Sequence, residues 1–257
     1  MNTLTQQLTG RKWNDKSIRW TIKASGRPLV RSPSPVNMLT QWPDCTKWMP
    51  MLNPATTTEN QTLGCCAITN SVRRFEKDYF EQTGKFCFLR YADIYEAVLE
   101  IINGNTDDTG LQLTDAIKGL QQLGIVKSDC DVAEIELSEF ALNAALQVAP
   151  LILGQFAQGI MPDNLSAGGW ADESDIGGLD MEQAGGHCIT LDVAFQSKGM
   201  NCCGIGNKGW GPYGVMGEGL LLTTTNWVIT CAMSQPLLVT HASENTLGPD
   251  WNKWMVK

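Results

Sequence analysis

Apolar positions in the first half of the chain recur at helical spacing. From Gly64 onward Cys65, Ile68, Val72, Phe75 and Tyr79 fall at i, i+3, i+7, i+10 and i+14, the stripe of one buried helix face. Arg73, Arg74, Glu76, Lys77 and Asp78 lie away from that stripe, and Gly84 is the expected stop. A second helix is expected over roughly 92–102, with Ile94, Val98 and Ile101 on one face and Gly104 after it. A third is expected over roughly 113–123, with Leu113, Ile117 and Leu120 aligned and Gly124 at its end. A fourth starts near Ser138, a good N-cap, and carries Phe140 and Leu146 before Pro150.

The pattern then changes from period 3.6 to short apolar runs. Leu151 to Phe156 reads as a strand, and the Gly- and Asp-rich stretch from Gly159 to Gly186 reads as a loop. Cys188 to Phe195 is a strand with Ile189, Leu191, Val193 and Phe195 on one face. It is expected to pair with Cys202 to Gly206 through a turn around Ser197–Gly199. Gly219 to Thr223 and Pro236 to Thr240 complete the expected strands. Helices first and strands second indicate an α+β chain with a segregated sheet rather than alternating βαβ units.

Composition narrows the function classes. The 257 residues are 43% hydrophobic and 18% charged, enough to bury a sizeable core. The net charge of −8 makes nucleic acid and anionic membrane poor partners. No apolar run reaches the ~18 residues of a membrane span, and the first residues hold no apolar core of a secretory signal. A cytoplasmic placement is therefore expected. Nine cysteines without a CxxC argue against a zinc ribbon or a paired disulfide framework, so free thiols and neither metal nor cofactor are expected. Residues 1–44 are expected to form a polar arm, which carries Trp13, Trp20 and Trp42, and 246–257 a tail with Trp251 and Trp254. Between them, 45–245 is expected to be one domain, helical over about 45–149 and β over about 150–245.

The candidate chemistry follows from scarcity and position. There are two histidines, His187 and His241. His187 follows Gly185–Gly186 at the expected start of a strand and shares a face with Ile189. Cys65 and Cys66 stand at the expected start of the first helix, where unpaired amides and the helix dipole favour thiolate. Cys65 is on the buried stripe. Cys66 is turned about 100° from it, so Cys66 is expected to face a cleft while Cys65 packs as a small hydrophobe. Gln61, five residues before Cys66, could donate a hydrogen bond to a developing oxyanion.

Four blocks, in order, carry a resemblance to a known family. They are Gln61 to Ala67, the passage Phe140 to Ala157, the Gly-Gly-His187 strand, and Asn207-Lys-Gly-Trp-Gly-Pro-Tyr-Gly214 with Gly219-Leu-Leu-Leu. Trp48-Met-Pro-Met-Leu52 precedes them. Over roughly residues 45–240 the chain resembles the papain-like cysteine peptidases, and most a compact branch seen in bacteria and phages. The resemblance implies an N-terminal helical lobe, a C-terminal antiparallel β lobe and a cleft between them. It implies Cys66 as nucleophile, His187 as base and then acid, Asn207 as the group orienting His187, and Trp210 as a shield over that bond. Asn207 stands three residues before Trp210, where the family has two, and Lys208 fills the usual place. The expected function is a thiol hydrolase cleaving a peptide or protein amide. A second reading is a non-catalytic papain-like component of a phage particle, self-associating or gripping other virion proteins through its Trp-rich ends. A third is a transferase or amidase with the same Cys–His geometry.

Overall fold

The computed structural model describes residues 63–135, 142, 145–146, 150–157, 170–171, 185–197, 200–206, 214–217, 219–221, 236–240 and 246–256. Among the described residues three helices come first: α1 (Cys66–Thr83), α2 (Tyr91–Asn103) and α3 (Leu113–Gln122). Gly84 and Gly104 close α1 and α2 at φ of 67° and 71°, the left-handed conformation that a side chain disfavours. Seven strands follow: β1 (Asp131–Glu134), β2 (Leu151–Ala157), β3 (Trp170–Ala171), β4 (Gly185–Ser197), β5 (Met200–Gly206), β6 (Gly214–Gly217) and β7 (Leu237–Thr240). Their order in the sheet is β1-β7-β2-β4-β5-β6-β3. The described pairings are antiparallel except β3 with β6. The β4–β5 hairpin closes at Ser197 opposite Met200, as the turn residues predict.

The sheet is apolar on both faces, and its period-2 alternation divides two cores. Ile152, Cys188, Leu237 and Val239 turn to the helical side, among Ile68, Val72, Phe75, Ile94, Val98 and Leu120. Leu151, Leu153, Ile189, Leu191 and Leu238 turn the other way, to Ile205, Met216, Leu220 and Leu221. Leu142 and Ala145, in helical conformation, pack on this second core. The N-cap expected at Ser138 lies outside the described residues.

Four features go beyond the simple pattern. The charged residues of α1 lie off the apolar stripe, yet Arg73, Arg74, Glu76 and Lys77 are buried. Helix α1 lies against the sheet as well as against α2 and α3, so it is enclosed on more than the predicted stripe. Buried charge survives only when partnered, and the sheet supplies partners. Arg73 donates to Thr190 Oγ1 at 2.8 Å, and Asp192 sits 3.6 Å from Arg73 Nη1 and 3.3 Å from Lys77 Nζ. Glu76 accepts from the Leu89 amide at 2.8 Å and from the Tyr91 hydroxyl.

Second, Gly219–Leu221 is helical, not a strand. Leu220 and Leu221 are consecutive and both enter the same core, which an alternating strand does not allow. Third, the sheet reaches outside its expected bounds. β1 lies within 45–149 and pairs with β7, and β3 lies within the expected loop. Gly185 and Gly186 already pair with Ala157 and Phe156, so His187 is the third residue of its strand rather than the first. Backbone ladders do not require side chains, so glycine composition hides such pairing. Fourth, Ile101 is 39% exposed, because the buried face of α2 is formed by Tyr91, Ile94, Tyr95, Val98 and Leu99.

The C-terminal segment packs on its own chain. Gly248 N donates to Ile125 O at 2.7 Å, Arg90 N to Trp254 O at 2.8 Å, and Val256 N to Phe88 O at 2.7 Å. Trp251 lies 5.0 Å from the Tyr79 ring, and Arg90 lies over Trp254. The arm 1–44 with its tryptophans lies outside the described residues, as does Trp48–Leu52.

Candidate active site

Cys66 is the first residue of α1, and Cys65 is its N-cap. The Cys65 side chain makes no capping hydrogen bond, and the first turn holds no acidic residue. The amides and the positive end of the helix are thus not spent on a capping side chain of the helix itself. Cys65 Sγ instead lies 3.2 Å from Thr69 Oγ1. Exposure does not separate the two cysteines as helical phase predicts: Cys65 is 0% exposed and Cys66 1%. The reason is again the enclosure of α1 between the sheet and the other helices. Helix position distinguishes them: Cys66 has entered the helix and Cys65 has not.

His187 is fully buried on β4, opposite Gln155 of β2. Strand β4 packs along α1, and one side chain joins the two elements beside the candidate pair. Asn70, one turn beyond Cys66, donates from Nδ2 to Cys66 O at 3.1 Å and to Cys188 O at 2.7 Å. The carbonyl of Cys66 and the carbonyl next after His187 in the chain are therefore held by a single amide group.

A second contact fixes the approach to the helix. The Gly64 amide donates to Asp108 Oδ1 and Oδ2 at 2.9 and 3.2 Å. The Tyr95 hydroxyl donates to Asp108 Oδ1 at 2.7 Å and accepts from the Gly110 amide at 2.9 Å. Burial, and then Asp108, push the Tyr95 phenol far above its ordinary value, so it remains a donor. Neither Asn70 nor Asp108 stands out in the sequence. Asn70 is off the apolar stripe and reads as a polar face residue. Asp108 lies in a polar turn forty-four residues from Gly64.

Gln61, Asn60, Asn207, Lys208, Trp210 and His241 lie outside the described residues. Cys65, Cys66, Cys87, Cys130 and Cys188 are all buried. Among the described residues no cluster of His, Cys, Asp or Glu is arranged to hold a metal ion. No helix among them is long and apolar enough to cross a membrane.

No family model matches the chain. No curated protein matches its sequence. Solved structures do match. Digestive procathepsin L 3 of Tenebrio molitor larval midgut is 13% identical with a TM-score of 0.56, over 92% of this chain and 78% of that one. Xylellain, a cysteine protease from Xylella fastidiosa, is 13% identical with a TM-score of 0.53, over 83% and 95%. The proform of the Amb a 11 cysteine protease, a ragweed pollen allergen, is 16% identical with a TM-score of 0.50. The match to it spans 71% of this chain and 61% of the length of that proform. At these identities the likeness speaks for architecture. The helical layer, the mostly antiparallel sheet and these neighbours together establish that the chain has an α+β, papain-like fold.

Proposed function

We propose that the chain is a papain-like cysteine hydrolase that cleaves an amide bond in a peptide or protein, with Cys66 as nucleophile and His187 as its base and acid. The observation that carries this is the position of Cys66 at the uncapped first residue of α1, tied through Asn70 to the strand that bears His187. An N-terminal helix position favours thiolate, and an adjacent imidazolium favours it further.

The Cys66 thiolate attacks the substrate carbonyl carbon, and the carbonyl π electrons move to oxygen. That oxyanion is met by the Cys66 amide and, by resemblance, by Gln61. The C–N bond then breaks, and the imidazolium of His187 gives its proton to the leaving amine. A thioester remains on Cys66. Water adds to it while His187 takes the water proton, and the C–S bond breaks to release a carboxylic acid. Asn207 would orient His187 by accepting an imidazole N–H, with Trp210 covering that bond.

The reading as an assembly component of a phage particle has lost part of its motive. Trp251 and Trp254 of the tail are engaged by Tyr79 and Arg90 of the same chain. The arm tryptophans Trp13, Trp20 and Trp42 remain its support.

The test is selective alkylation. Iodoacetamide at mildly acidic pH is expected to label Cys66 ahead of the other cysteines, and His187→Ala is expected to abolish that preference. Equal labelling of all thiols, or a preference for Cys66 that survives His187→Ala, contradicts the pair.

A further inference from the structure

We propose that Asn70 is a positioning residue that sets the distance between Cys66 and His187; this rests on the Cys–His reading above. Asn70 is fully buried in the second turn of α1. Asparagine is a poor residue for a helix interior, and a buried amide is costly unless it is hydrogen-bonded. Packing alone would be served by leucine or alanine. Its hydrogen bonds give Asn70 a more specific task. Its NH₂ carries two donors, and each goes to a carbonyl belonging to a different lobe. One is Cys66 O, at 3.1 Å, on the first residue of α1. The other is Cys188 O, at 2.7 Å, 118 residues away in sequence.

The leverage comes from where those carbonyls sit. Cys66 O is on the nucleophile's own residue. Cys188 follows His187 directly in β4, and the described pairing of β4 with β5 begins only at Thr190 opposite Gly206. At Cys188 the helix therefore contributes a donor to the strand. Sliding β4 along α1 must stretch one of the two bonds, so the pair of bonds fixes the first turn of α1 against the start of β4. A displacement of about 1 Å between reacting groups costs on the order of a hundredfold in rate.

The charged contacts between α1 and β4 lie deeper along both elements, where Arg73 and Lys77 meet Asp192. They hold the lobes together, but one and two turns beyond Asn70. Asn70 is the described side chain that bridges them at the level of the candidate pair.

The experiment measures the rate of Cys66 alkylation by iodoacetamide across acidic to neutral pH. It compares wild type, Asn70→Leu, Asn70→Ser, His187→Ala and each Asn70 variant combined with His187→Ala. Leucine keeps the volume and removes both donors, whereas serine keeps one donor on a shorter arm. Asn70→Leu is expected to lower the acid-pH rate about a hundredfold and to add nothing in the His187→Ala background. Asn70→Ser is expected to fall between leucine and wild type. If Asn70→Leu does not fold, Asn70→Ser and its double variant give the same comparison. A merely structural residue would alter reactivity equally in both backgrounds, and that additive result overturns the proposal. So does full acid-pH reactivity in the Asn70 variants. If wild-type Cys66 itself lacks acid-pH reactivity, the Cys–His reading fails first and the positioning role falls with it.

Discussion

Replacing Arg74 should unfasten α1 from the sheet, and the size of the effect can be worked from its contacts. Its guanidinium pairs with Asp78, donates to Val239 O of β7 at 2.6 Å, and donates to Thr246 Oγ1 at 3.2 Å. The side chain is 1% exposed, so solvent screens none of this appreciably. Burial pulls the guanidinium pKa down while Asp78 holds it up, a sign that the charge depends on its partners. Arg74→Ala removes a buried charged donor from four acceptors, Pro150 O at 3.5 Å being the fourth, and opens a cavity. Breaking a buried pair in this way costs about 3–5 kcal/mol. A domain of this kind has about 5–15 kcal/mol in total, so roughly a fifth or more of its stability is expected to go. With about 2–4 °C per kcal/mol at this size, the midpoint should fall by roughly 10 °C. Asp78 is 19% exposed, so Asp78→Asn should cost less, about 1 kcal/mol. Equilibrium urea unfolding of both variants and the double variant measures the terms. A loss below about 1 kcal/mol for Arg74→Ala would refute the claim that this residue fastens helix to sheet.

Two further outcomes are expected. Burial, with Asp129 adding to it, pushes the Cys130 thiol up to about 11. The folded state then holds its proton more tightly than the unfolded chain. This contribution to stability is complete below about pH 9 and is lost as pH rises towards 11. Urea unfolding of wild type at pH 8 and 10 should show that decline, and Cys130→Ser should flatten it; an equal decline in the variant would contradict the assignment. At Gly119 a Cβ would stand 2.4 Å from Val98 Cγ1, where α3 meets α2. Gly119→Ala should therefore cost about 1–3 kcal/mol in thermal unfolding, and a second change, Val98→Ala, should recover part of it; an Ala variant as stable as wild type would show that the helices part freely.

What the sequence made legible were features that leave a local imprint. Helix ends at Gly84 and Gly104, the β4–β5 hairpin, and Cys66 at a helix start all follow from periodicity and turn residues. The features that eluded it depend on partners distant in the chain. Arg73 and Lys77 lie off the apolar stripe, and nothing local shows that Asp192 will meet them in a buried layer. Gly219–Leu221 reads as a strand until both leucines are found in one core. Asp131–Glu134 reads as nothing until β7 pairs with it. In the candidate site, the same limit hid Asn70, whose bond to Cys188 has no trace in local pattern. Gln61 and Asn207 rest on resemblance, since both lie outside the described residues.

The central claim is that Cys66 forms an acyl-enzyme with the help of His187. The most direct measurement is a rapid-mixing reaction with a peptidyl p-nitrophenyl ester, quenched in acid and mapped by mass. A stoichiometric p-nitrophenolate burst is predicted, with the acyl group on Cys66 in wild type and a burst slowed at least a hundredfold in His187→Ala. The absence of a burst, or an acyl group mapped to another residue, would contradict it.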